Sequence, residues 1–248
     1  MTTATFADHF SGHAADYARS RPAYPAELFS WLADSSPSTD VAWDCATGNG
    51  QAAVRLAENF DRVIATEGSA DQLASATPHP RVEYVQALAE QVPIEDGSVD
   101  LCACAQAAHW FDLDGYYAEV RRVAKPGALF AAWCYSLFQV DTQVNAVIDR
   151  LYGRILGEYW PERRRHIETQ YRHLPMPFET IAAPAFEMRH EWTFEQVCEY
   201  LRTWSAVIRY RSATGEDPIE RVARDLETAW GTEARVVVWP IAMRAGRV

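Results

Sequence analysis

The sequence predicts an α/β fold: a mostly parallel sheet covered on both faces, with a helical cap. Three observations predict it. Short apolar runs alternate with amphipathic stretches of helical period between residues 41 and 133. A Gly-x-Gly turn ends the first of these runs and opens a helix. After about residue 136 the alternation stops and helical stripes rich in aromatics replace it. Parallel neighbours need helical crossovers, which is what the alternation supplies.

Taken in order, Phe6, His9, Phe10, His13, Ala14 and Tyr17 recur at helical spacing and stop at the turn signals Arg21-Pro22 and Tyr24-Pro25. A short helix over Ala26 to Ala33 follows. Val41 to Cys45 is the first strand, and Ala53, Leu56, Ala57 and Phe60 line the next helix. Arg62 to Thr66, Val82 to Gln86, Asp100 to Ala105 and Ala128 to Trp133 supply four more strands. Helices are expected over Ala70 to Ala76, and from Leu113 until Lys125-Pro126-Gly127 stops the chain. Beyond residue 136, Val144, Val147, Ile148, Leu151 and Ile155 form a helical stripe. Two more follow, Val197 to Ile208 and Ile219 to Leu226. Phe186 to Trp192 and Arg235 to Trp239 read as strands. The expected division is a lid over 1–36, a cofactor-binding core over 37–136, a cap insertion over 137–185 and a C-terminal part of the core over 186–248.

At 248 residues the chain has room for one core and an elaboration. Hydrophobic residues make up 48% of it, enough for a packed interior. Acidic residues outnumber basic ones, 34 to 23, which repels polyphosphate and disfavours nucleic acid as a partner. The N-terminus lacks the basic-then-apolar pattern of a secretory signal, and no apolar run is long enough to span a bilayer. Five cysteines without disulfide-like spacing point to reduced thiols and a cytoplasmic protein, a monomer or homodimer acting on a small molecule without a membrane. Cys45, Cys104 and Cys134 fall near the ends of neighbouring strands, but no fourth ligand accompanies them, so no metal is expected.

The strongest local signal is Asp44-Cys45-Ala46-Thr47-Gly48-Asn49-Gly50. A strand ending in Gly-x-Gly lets backbone approach a ligand that a side chain would hold off. Glu67, at the end of the next strand, can accept hydrogen bonds from both hydroxyls of a ribose. Gly48-x-Gly50-x-x-Ala53 also fits a dinucleotide fingerprint. An anionic Asp44 beside the loop would oppose a pyrophosphate, however, and the sequence lacks a second mononucleotide half. A cationic sulfonium with an ammonium group suits nearby carboxylates better.

These residues resemble class I S-adenosylmethionine-dependent methyltransferases. Their Asp/Glu-x-Gly-x-Gly-x-Gly motif stands here as Asp44-x-Ala46-x-Gly48-x-Gly50, with Ala46 replacing the first glycine and predicting a less tight turn. Ala87-Leu88-Ala89-Glu90-Gln91-Val92-Pro93, Ala108-His109-Trp110-Phe111 and Lys125-Pro126-Gly127 are similar to later family segments. Phe10-x-x-His13-x-x-x-Tyr17-x-x-x-Arg21-Pro22 and Tyr200-Leu201-x-Thr203-Trp204-Ser205 further resemble the trans-aconitate-methyltransferase-like group, whose members methylate small molecules, often carboxylates. The resemblance implies a Rossmann-like sheet of seven strands with an antiparallel last hairpin from 186–192 and 235–239. It implies S-adenosylmethionine as cofactor and S-adenosylhomocysteine as product. It implies transfer to O, N or S of a small, anionic or polar metabolite. The alternatives are a non-methylating binder of the same cofactor and, disfavoured by the Gln106-Ala107-Ala108-His109 sequence after the fourth strand, a nucleic-acid methyltransferase.

The cofactor-facing set so implied is Tyr17, Arg21, Asp44, Ala46, Gly48, Gly50, Gln51, Glu67, Gly68, Leu88, Ala89, Glu90 and Gln106. Arg21 is placed near the methionine carboxylate. Leu88 stands where the family often has aspartate, leaving the adenine amino group to backbone or to Glu90. His109, Trp110, Tyr135 and Trp204 are expected to line the substrate pocket. The catalytic residue is unassigned, with His109 a weak candidate for a base, because a carboxylate nucleophile needs none. Arg163, Arg164, Arg165, Arg172, His173, Arg202 and Arg209 either balance Glu158, Glu162 and Glu168 on solvated helices or face the pocket and select an anion.

Overall fold

The computed structural model describes residues 22–248; the N-terminal stripe, with Tyr17 and Arg21, lies outside the described residues. Five strands build the parallel part of the sheet: β1 (Val41–Cys45), β2 (Arg62–Glu67), β3 (Val82–Gln86), β4 (Val99–Ala105) and β5 (Ala124–Tyr135). An antiparallel β8 (Arg235–Arg247) follows β5, and its far edge carries β6 (Glu179–Ile181) and β7 (Phe186–Trp192). The order is β3-β2-β1-β4-β5-β8-β6, with β7 also on β8. Mostly parallel strands closed by an antiparallel hairpin are the expected architecture.

The sheet differs from expectation in its strand number. Among the described residues it has eight strands because the last position is split: β7 pairs with residues 235–241 of β8, and β6 pairs with residues 245–247 of the same edge. The break between them contains Pro184, which has no N–H to donate to a ladder. The last strand also runs past Trp239 through Pro240 to Arg247, because its second half pairs with all of residues 129–135. β5 begins at Ala124 and not at Ala128. Its register on β4 shifts between the pairs at Val99 and Leu101, and that irregularity absorbs Lys125-Pro126-Gly127, with Gly127 at φ +77°.

The period-2 alternation of the strands divides the interior. Leu101 and Ala103 face one layer, with Leu28, Phe29 and Leu32 of α1 (Ala26–Asp34) and Ala52, Ala53 and Leu56 of α2 (Gln51–Leu56). Cys102 and Cys104 face the other, with Tyr116, Tyr117 and Val120 of α4 (Leu113–Val123). Between them on the chain, the short α3 (Ala70–Ala74) is capped by Ser69 Oγ, which accepts from the Gln72 N–H.

After β5, α5 (Thr142–Asp149) starts at Asp141, whose carboxylate accepts from the N–H groups of Gln143 and Val144 (both 2.9 Å). It continues as a π-helix over Arg150–Ile155. α7 (Phe194–Arg202), α8 (Ser205–Thr214) and α9 (Ala223–Trp230) share one buried cluster with α5, so the helical cap draws on both sides of residue 185. The chain between them crosses to the opposite face through α6 (Arg165–Glu168). There Ile167, Tyr171, Leu174 and Phe178 pack beside α4. Tyr117 donates to the Pro175 carbonyl (2.7 Å) and Phe178 stacks on Phe130.

Candidate active site

Asp44 ends β1 fully buried. Its Oδ2 accepts from the Thr47 hydroxyl (2.6 Å), while its Oδ1 has no hydrogen-bond partner. Burial, the largest cause, pushes its pKa up to about 7 against the Thr47 hydrogen bond, and Glu67 adds to the rise. Ala46 adopts φ +54°, the left-handed conformation a glycine would take, so the turn keeps its tightness at a backbone cost. Gly48 (φ +59°) has, among the described residues, only Gln72 Oε1 within 4 Å of its Cβ position, at 3.8 Å. Gly50 (φ +89°) is required for another reason: a Cβ there would sit 2.2 Å from the Tyr84 hydroxyl, which donates to the Thr77 carbonyl. The close approach that demands glycine at 50 is therefore made by a side chain of β3. Gln51 starts α2 directly behind it.

Glu67 closes the loop from the β2 side. Its Oε2 accepts from Gly48 N–H (2.9 Å) and its Oε1 from Ser69 N–H (3.0 Å). The Gly68 carbonyl accepts from Gln86 (3.1 Å). Leu88 is 43% exposed, an unusual position for a large apolar side chain, while Ala89 is buried. Glu90 accepts from the Asp112 N–H (2.9 Å) at the start of α4. Gln106 sits at φ +59° and its amide pairs with both main-chain groups of Tyr135 (3.0 and 2.9 Å). Its side chain therefore ties β4 to β5, and only its main chain is left to face a ligand.

A polar atom fully buried without a partner is costly unless a ligand completes it. Asp44 Oδ1 is such an atom, and a positive or donor group suits it. A pyrophosphate would meet both Asp44 and Glu67. The donor set fits S-adenosylmethionine and opposes a dinucleotide.

Across the C-terminal ends of β4 and β5, the 3-10 turn Ala108–Trp110 sets His109 and Trp110 in place. His109 is 5% exposed, packs on Trp110 (centroids 4.8 Å apart) and shares a 3.0 Å hydrogen bond between its Nδ1 and the Tyr171 hydroxyl. Burial first, then the charges of Arg164, His166 and Arg163, push its pKa down to about 3. The ring is neutral at pH 7, and so weak a base is poorly suited to taking a proton.

The arginine run has three fates. Arg163 donates to the Trp110 carbonyl. Arg164 lies over the Trp160 ring (4.4 Å to the centroid) and the Tyr152 ring (5.7 Å), and its Nε reaches the Tyr152 hydroxyl (3.3 Å). Arg165 is exposed. Trp204 completes the cage, 5.5 Å from Trp160 and 6.0 Å from Tyr152. Arg202 is held by Asp217 (2.9 Å) with Glu220 further off (3.7 Å), and Arg172 bonds Gln170 at the surface. Arg209 and His173 are exposed. Tyr135 is buried against Tyr24. The fold thus brings His109 and Trp110 together with Arg163 and Arg164, and joins Trp204 to them through Arg164.

Sequence reasoning missed Tyr152 and Tyr171 as neighbours of the site. Tyr152 is aimed by the π-helix, a local widening that apolar periodicity does not reveal. Tyr171 depends on two successive left-handed residues, Gln170 (φ +55°) and Tyr171 (φ +57°), neither of them glycine. The mix of aromatics and arginines from 152 to 172 was the only signal available. Among the described residues no three His, Cys, Asp or Glu groups cluster to hold a metal, and no helix is long and apolar enough to cross a membrane.

A family model described as a methyltransferase domain matches residues 43–132. A Dictyostelium discoideum protein named as a methyltransferase is 31% identical over 236 residues, covering 93% of this chain and 89% of its own length. A solved structure from Anaeromyxobacter dehalogenans, described as a type II methyltransferase, is 48% identical with a TM-score of 0.87. It covers 92% of this chain and 97% of that one. A Bacillus halodurans structure at 20% identity and TM-score 0.51 shares the fold. The chain belongs to the class I S-adenosylmethionine-dependent methyltransferases, and S-adenosylmethionine is its cofactor.

Proposed function

We propose that this enzyme methylates an O, N or S atom of a small anionic metabolite. The observation that carries the substrate reading is Arg164, a half-buried cation caged by Trp160 and Tyr152. It has no carboxylate within ion-pair distance among the described residues, although the whole chain is acidic. The adjacent Arg163 donates to the carbonyl of Trp110, next to His109 beyond β4, and Arg164 itself lies over Tyr152 of the cap. A guanidinium held there by aromatic rings pairs bidentately with a carboxylate or phosphate. The carboxylate habit of the trans-aconitate-methyltransferase-like group points the same way.

On the cofactor side, Asp44 takes the ammonium group through its unpartnered Oδ1, and Glu67 takes the ribose diol while holding the loop. The backbone of Ala46, Gly48, Gly50 and Gln51 lets the methionine portion approach. Leu88 covers the adenine face, with Gly68, Ala89, Glu90 and the main chain of Gln106 around it. Tyr17 and Arg21 belong to the same set. When bound, S-adenosylmethionine supplies an electrophilic methyl taken by in-line displacement, with S-adenosylhomocysteine leaving. The residues of the chain align the acceptor and exclude water. His109 and Trp110 contact it, with Tyr135 and Trp204 behind, and a carboxylate acceptor needs no base.

The test is a panel of small carboxylic and phosphorylated metabolites, with neutral and cationic controls, incubated with methyl-labelled cofactor and read by mass spectrometry. At least one anion should acquire label, and Arg164→Ala should raise its KM about tenfold with cofactor affinity unchanged. Label confined to neutral or cationic controls would overturn the anionic reading.

A further inference from the structure

We propose that Tyr171 is a positioning residue that holds His109 as the tautomer protonated on Nε2, so that His109 meets the substrate as a hydrogen-bond donor and not as a base. The proposal deepens the reading above and rests on it for the identity of the partner atom, an oxygen of the anionic substrate.

The Tyr171 hydroxyl is fully buried, and burial raises its pKa well above the ordinary phenol value, so it keeps its proton. A buried O–H needs an acceptor. Its hydrogen-bond partner among the described side chains is His109 Nδ1 at 3.0 Å. With no other acceptor for it among the described residues, the hydroxyl directs its own proton to Nδ1. If Nδ1 carried a hydrogen, two protons would face each other and the buried hydroxyl would be left unpaired. In a neutral ring the remaining proton is then on Nε2, for which no protein partner is found among the described residues.

The surroundings enforce both the neutrality and the geometry. Among the described residues, the charged or titratable groups facing the ring are Arg163 and Arg164 of a second 3-10 turn (Glu162–Arg164), His166 from α6 and Tyr171 itself. None of these is a carboxylate that would stabilise an imidazolium. Tyr171 is set by the left-handed pair Gln170 and Tyr171, which follows α6. Arg244 of β8 clasps that pair, donating to the carbonyls of Tyr171 (2.9 Å) and Arg172 (3.2 Å). A donor at Nε2, with the Arg164 cation near it, would offer only hydrogens to an oxygen anion.

The experiment is multiple-bond proton–nitrogen NMR of the full chain labelled on histidine, between pH 5 and 8, with His109→Gln used to assign the ring. The expected result is a neutral, Nε2-protonated pattern for His109 throughout. Tyr171→Phe should mix the tautomers or bring the ring's titration into that range. A neutral Nδ1-protonated ring in the native protein, or an imidazolium forming above pH 6, would overturn the proposal. This reading does not depend on turnover, so it stands or falls apart from the labelling panel. Once a substrate is in hand, His109→Gln, which retains a donor, should keep kcat within about threefold of the native value, while His109→Leu should raise KM about tenfold. A loss of kcat of about a hundredfold in both variants would mark a base and end the proposal.

Discussion

Asp44 shows how one residue couples charge, burial and binding. Its folded pKa, about 7, lies above the usual carboxylate value because the group is desolvated. Its contribution to stability is therefore fully present below about pH 4 and is lost as pH rises through about 7. Without cofactor, thermal stability should decline across that window, and Asp44→Asn should flatten the decline, as read by calorimetric melting. A bound cation favours the ionised form, so cofactor binding near pH 6.5 should release up to one proton. Titrations in buffers of different ionisation enthalpy measure that release, which Asp44→Asn should abolish. Ala46 gives a second prediction at this scale. Its φ of +54° strains any residue with a Cβ, so Ala46→Gly should stabilise the protein by about 0.5–1 kcal/mol in urea unfolding. The acidic and glycine positions were legible from sequence because strand-end placement limits what they can do. The reason for Gly50 was not, since Tyr84 reaches it from a strand 34 residues further along.

At the scale of elements, the parallel strands and α4 could be read from alternation and period, and their ends from turn residues. The misses have a common physics. Tertiary pairing carried β5 through Lys125-Pro126-Gly127 and β8 through Pro240, where local propensity alone would stop a strand. The short β6 has no pattern of its own and exists because β8 offers an edge. In the cap, α7 opens with a capping box in which Thr193 accepts from the Gln196 N–H and Gln196 from the Thr193 N–H. Thr193→Ala should cost about 1 kcal/mol in chemical unfolding, with cofactor affinity unchanged because α7 lies away from the glycine loop.

Over the whole molecule, two buried layers hold the sheet, and the chain from 157 to 178 links them by crossing above the ends of β4 and β5. Phe130 is central to the second layer, meeting Tyr116, Tyr117 and Phe178. Phe130→Ala should cost about 3–5 kcal/mol, and a loss under 1 kcal/mol would contradict this packing. The same crossing brings Arg163, Arg164 and Tyr171 to His109, a long-range arrangement that no local motif encodes. Strand-end motifs therefore suggest the cofactor residues proposed above, whereas the proposed acceptor side depends on this long-range packing.

The central claim is that one strand-end pair of carboxylates, Asp44 and Glu67, receives a cationic nucleoside. Isothermal titration of the full chain with S-adenosylmethionine, S-adenosylhomocysteine and NAD tests it most directly. The account predicts saturable binding of the first two, weakened by about 1–3 kcal/mol in Glu67→Ala. Tighter binding of NAD than of either, or an unchanged affinity in Glu67→Ala, would contradict it.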